Sequence, residues 1–172
     1  MRQAAAFAAT VSVAIVLTLL AALPWGLPPL LSVVPAFVPI VVVCRIAPGA
    51  PAPVAASVAF AGGLMLDVLS QGPLGFWALV YLTTMRLSVL SGVFGAGRSR
   101  SSNLLVFAGL AGFAALLGLL TASVYTGTWP DVLPYALAAT LALFAHVSIE
   151  LVGATLGALA GGPRERPAGR TW

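Results

Sequence analysis

Gly62-Gly63-Leu64-Met65-Leu66-Asp67-Val68-Leu69-Ser70 reads as the end of an apolar helix, and Gln71-Gly72-Pro73-Leu74-Gly75-Phe76-Trp77-Ala78-Leu79 as a reversal that opens another. Gly63, Asp67 and Ser70 fall at i, i+4 and i+7, one helix face. A carboxylate placed just before a Gly/Pro turn reaches headgroups, water or the exposed amides of the turn that follows, and Asp67 is expected to fasten the hairpin. Gly72 and Gly75 around Pro73 permit a reversal that bulkier residues resist, and Gly75 near the start of the next helix admits close helix approach. The stretch predicts a helical hairpin, and the chain on either side repeats its pattern.

Apolar runs alternate with Pro/Gly clusters, which end helices by removing an N–H or adding backbone freedom. The breaks delimit six spans, at about residues 4–23, 30–44, 54–69, 74–94, 103–125 and 132–160. The first exceeds the usual core of a signal peptide, about 7–15 residues, and is expected to remain as a helix. The second is short and carries Pro35 and Pro39, so it should be kinked, tilted or shielded by neighbours. Of 172 residues 60% are hydrophobic and 7% charged, against roughly 25% charged in an ordinary soluble domain, which excludes a water-soluble globule. Six helices of about 20 residues each leave only connections and tails. The expectation is an all-α integral membrane protein, with a single six-helix membrane domain over 1–162 and a short basic tail over 163–172.

Charge supplies a second, independent signal. The formal charge of +4 comes from eight basic residues, all arginine, against four carboxylates. No basic stripe interleaved with aromatics appears, so nucleic acid is not an expected partner. Arg2, Arg45, Arg98, Arg100, Arg164, Arg166 and Arg170 all fall in connections on one side of a six-span arrangement, while the opposite links hold only the carboxylate Asp131. By the positive-inside rule both termini lie in the cytoplasm. The single cysteine, Cys44, permits no internal disulfide.

Three charged residues and one histidine remain inside the spans: Asp67, Arg86, Glu150 and His146. At about 1.5 Å per residue from the outer end, Arg86 sits about 18 Å deep, His146 about 20 Å and Glu150 about 26 Å, so these three are expected to meet as an intramembrane polar cluster. The cluster either fixes how spans four and six pack or lines a proton or solute path. Asp67 lies about 20 Å from Glu150 in depth, too far for a catalytic carboxylate pair, which needs about 5–10 Å. His146 and Glu150 share a helix face, but two ligands without a third make no metal site. No cofactor, metal or catalytic residue is therefore expected. Gly153, Gly157 and Gly161 continue that face at four-residue spacing, an interface for a helix of the same subunit or of a partner.

The run from Gly62 to Leu79 resembles the signature of the bacterial rod shape-determining protein MreD family, and the proline-bearing apolar helix before it, Pro35 to Arg45, is similar as well. The resemblance carries over Gly63, Asp67, Ser70, Pro73, Leu74 and Gly75 as structural or interface positions; Arg86, His146 and Glu150 match no motif of that family. It implies a non-enzymatic scaffold in the bacterial inner membrane, within the machinery of cell-wall elongation. The implied partners are MreC, held by helix contacts within lipid, with RodA and a penicillin-binding transpeptidase through the same complex. Membrane lipids are further partners, and a homodimer within the assembly is left open. A rival reading is the small-solute-binding membrane subunit of a vitamin-importer-like transporter, with the broken second span lining a cavity; a membrane-embedded hydrolase is a third. The arginine pattern makes one direct prediction. Reporter fusions at residue 1 and residue 172 should both give the cytoplasmic signal, and signals that place the two ends in different compartments contradict the even number of spans.

Overall fold

A computed structural model describes residues 2–46, 52–91 and 99–160. Among them the chain forms six α-helices and no strand: α1 (Arg2–Ala21), α2 (Val34–Ile46), α3 (Ala52–Leu69), α4 (Phe76–Ser91), α5 (Arg100–Thr126) and α6 (Val132–Ala160). A 3₁₀ turn, Pro29–Leu31, leads into α2. The helices sit where the apolar runs were expected, and their ends follow from local chemistry. Ser99 is extended, and its Oγ accepts from Ser102 N at 3.2 Å. That cap starts α5 at Arg100, three residues before the expected boundary at Asn103. Gly127, in the left-handed region at φ 69°, closes the same helix by donating its N–H to Ser123 O at 2.9 Å. Asp131, expected only as a link carboxylate, accepts from Leu133 N at 3.1 Å and opens α6. α3 begins inside the Pro/Ala-rich linker because Pro53 occupies its first turn, where a missing N–H costs nothing.

Two helices are long and apolar enough to cross a membrane, through Ser101–Thr126 and Val132–Thr155. Their 26 and 24 residues extend about 39 and 36 Å against a hydrocarbon core of about 30 Å. The other four helices are apolar but shorter. Apolar side chains occupy both the interior and much of the exterior of the bundle. Alanines fill the closest contacts, with Ala55, Ala59, Ala78, Ala114 and Ala138 buried, while Leu90, Leu105, Val124 and Phe144 stand at 65–86% exposure. The buried alanines let helices approach closely, between larger buried side chains such as Phe37, Tyr81 and Phe107.

The short second helix is the centre of the bundle. α2 packs on α1, α3, α4 and α6, and Ile40, Val41, Val42, Val43 and Cys44 are all buried, so every side of its second half meets protein. The shielding by neighbours expected for this short proline-bearing helix is present. Pro35 stands in the first turn of α2, but Pro39 is inside it and withholds an N–H from the preceding turn. Within that turn the Tyr81 hydroxyl of α4 donates to Ala36 O at 2.7 Å, across 45 residues of sequence. Phe37 of α2 meets Trp77 of α4 edge to face, with ring centroids 5.9 Å apart.

Tyr81 is fully buried, so its hydroxyl supplies a hydrogen bond that no solvent replaces. Tyr81→Phe should lower stability by about 1–2 kcal/mol, read as a lower Tm in detergent, with helix content unchanged by circular dichroism.

Candidate functional site

The residues singled out between Gly63 and Gly75 converge on one structure, the junction of α3 with α4. α3 ends in a paired-turn closure in which Gln71 N donates to Val68 O at 3.3 Å and Gly72 N to Asp67 O at 3.0 Å. This is the Schellman arrangement, and the left-handed residue it requires is Gln71, at φ 53°. Gly72 itself is outside the left-handed region, and an added Cβ there would stand 3.3 Å from Ser70 Oγ. The second left-handed residue is Gly75, at φ 93°, where an added Cβ meets nothing within 4 Å. Gly75 is thus needed for its backbone conformation, not for close helix approach.

The close approach lies one helix back, at Gly63. A Cβ there would stand 2.5 Å from Ala78 N and 2.5 Å from Trp77 O, nearer than real Cβ atoms come to backbone. That contact brings the start of α4 against α3 one turn before Asp67. The Asp67 side chain, fully buried, then closes the joint: its Oδ2 accepts from Gly75 N at 2.9 Å and Ala78 N at 3.4 Å, its Oδ1 from Trp77 N at 2.8 Å. A helix leaves its first N–H groups without partners. In α4, Phe76 N finds Pro73 O at 3.2 Å, and Asp67 takes the rest. A carboxylate at a helix N-terminus also faces the positive end of the helix dipole. Asp67 therefore acts as an N-cap delivered by the neighbouring helix, and the anion position at the head of α4 is already filled by the protein.

The remaining signature residues face outward. Ser70 and Leu74 are exposed, Leu74 at 73%, and Pro73 is half-buried with its carbonyl engaged by Phe76. Sequence reasoning missed the aromatic group beside the joint: Trp77 stacks edgewise on Phe76 and tilts against Tyr81, with centroids 5.0 and 6.2 Å apart. Its only trace in the sequence is the i, i+4 spacing of Trp77 and Tyr81.

The expected cluster of Arg86, His146 and Glu150 is not brought together by helix packing. Arg86 is exposed on α4, which packs on α3, α5 and α2. His146 and Glu150 lie on α6, whose main neighbours are α5 and α2. Depth alone aligned them, but the direction of Arg86 around its helix points it out of the bundle. His146 is buried with its ring stacked on Phe107, centroids 4.1 Å and planes 9° apart, and Glu150 is half-buried one turn further along. Gly153 is exposed and an added Cβ would meet nothing within 4 Å, so it opens away from the bundle. Gly157 lies within α6, while Gly161 and the basic tail fall outside the described residues. Among the described residues no three His, Cys, Asp or Glu side chains are grouped to hold a metal ion.

Comparison with protein-family models, with curated proteins and with solved structures returned no match for this chain.

The joint predicts substitutions of opposite sign. Asp67→Asn leaves a buried N–H facing a donor and should cost about 2–4 kcal/mol. Gly63→Ala should cost about 1–3 kcal/mol by forcing α3 and α4 apart. Gln71→Gly should raise stability by up to about 1 kcal/mol by relieving the left-handed backbone. Thermal unfolding of the three variants in one detergent checks both signs.

Proposed function

We propose that the chain crosses the bacterial inner membrane six times, with both ends in the cytoplasm, and serves as a non-enzymatic scaffold of the MreD type in the cell-wall elongation complex. Three features support the membrane part of the reading: the two long apolar helices, the large apolar side chains on the outside of the bundle, and the charge content of 7%. The helices too short for a full span gain from assembly. α2 is enclosed by its neighbours, and the turn that Pro39 disturbs receives a hydrogen bond from the Tyr81 hydroxyl.

The observation that carries the scaffold part is the α3–α4 joint. The residues by which the chain resembles the MreD family have structural duties there: Gly63 admits the neighbouring backbone, Asp67 caps α4, and Gly75 turns the chain. Such a joint makes two helices one rigid element with an exposed apolar exterior, suited to binding another helix in lipid through packing. Its role in the complex is to hold MreC, and with it RodA and the transpeptidase, in position.

Two measurements test this. In mild detergent the protein should retain MreC, and Gly63→Val should abolish retention together with folding, whereas Arg86→Gln should leave both intact. Depletion in the native rod-shaped cell should produce rounding. Rods of normal width after depletion overturn the scaffold reading, as does a tightly bound small solute in place of MreC.

A further inference from the structure

The end of the bundle shared by the α1–α2 connection and the α3–α4 turn carries two adjoining depressions. One is an apolar groove of about 350 Å³ between α1 and α2, flanked by Leu17, Leu20, Val34 and Val38. The other, about 230 Å³, has a mixed polar and apolar lining and lies along the connection at Leu23, Gly26 and Ser32. Ala21, Trp25, Leu27 and Pro35 line both, so the two lie side by side. The wall between them is preformed: the Trp25 indole N–H donates to Leu20 O at 2.7 Å, which fixes the ring against the end of α1. Among the described residues, the backbone N–H groups of Trp25, Gly26 and Leu27 have no acceptor in the protein. Consecutive amide donors of this kind attract an anion, and donors at a membrane boundary cost free energy when left dry.

We propose that these adjoining depressions bind one phospholipid across the Trp25 ring, with an acyl chain in the α1–α2 groove and the phosphate on the amides of Trp25 to Leu27. The match is to an amphiphile: an apolar slot whose open end carries hydrogen-bond donors and no carboxylate. Asp131, the carboxylate that caps α6, is not among the residues lining either depression. The middle of a helix from another protein would fill the groove but bring the three amides no backbone acceptor, because carbonyls there are already bonded, whereas a phosphate brings several acceptor oxygens.

The inference rests on the membrane reading above. The test uses the full chain purified in detergent, stripped of lipid, and titrated with phosphatidylglycerol or with diacylglycerol of the same acyl chains, with binding read by native mass spectrometry. One phosphatidylglycerol should bind per chain, at least about tenfold more tightly than diacylglycerol, as expected for hydrogen bonds to a charged group. Ala21→Trp, at the junction, and Val38→Phe, in the groove, should each reduce that binding about tenfold or more. Phe144→Trp on the outer face of α6 should not. Circular dichroism separates loss of the site from loss of the fold. Undiminished binding in both groove variants overturns the proposal, and so does equal affinity for the two lipids, which would leave the amides to water. Recovery of the unaltered chain in the membrane fraction distinguishes failure of this site from failure of the membrane reading.

Discussion

The carboxylate of Asp67 is the point on which the arrangement of this protein turns. Three backbone N–H groups, of Gly75 in the turn and of Trp77 and Ala78 in the first turn of α4, converge on it at 2.8–3.4 Å, and it is removed from solvent. A buried charge is tolerable only when its acceptor sites are occupied, and a helix start is tolerable in apolar surroundings only when its donors are. Each requirement here is met by the other. The two helices so joined form the most extensive pairing in the bundle, and their aromatic side chains, Trp77 and Tyr81, organise what packs next to them.

The second dependence runs from that hairpin to α2. A helix of 13 residues with an internal proline is a poor structure by itself. It is sound here because Tyr81 bonds the turn that Pro39 disturbs, Phe37 meets Trp77, and the alanine-lined faces of neighbouring helices close over its second half. The hairpin lock, the central helix and the alanine-rich contacts are one chain of causes, each needing the one before.

Helix positions were legible in the sequence because Pro and Gly end helices by a backbone mechanism that does not depend on the rest of the fold. The job of Asp67 was legible for a similar reason: a carboxylate next to a turn has few local partners to choose from. Gln71 was not, since glutamine carries no mark of left-handed backbone. The start of α5 was displaced by a serine cap that reads equally well as loop. Arg86 was misplaced for a geometric reason. Rise along a helix gives depth, but whether a side chain faces protein or the outside is an angle around the axis, set by which helices are neighbours. α4 does not have α6 as a main neighbour, and apolar composition on all sides of both helices left no periodicity from which to learn that.

The Tyr81 bond to Ala36 spans 45 residues, which bears on biogenesis. When α2 leaves the ribosome, the hydroxyl that completes its proline turn has not yet been synthesised, and α6, which covers another side, comes later still. The second helix therefore begins with only α1 to pack on. The bundle closes around it in order of synthesis, so a chain that stops between α3 and α4 lacks both the Tyr81 hydroxyl and the α6 face that enclose α2.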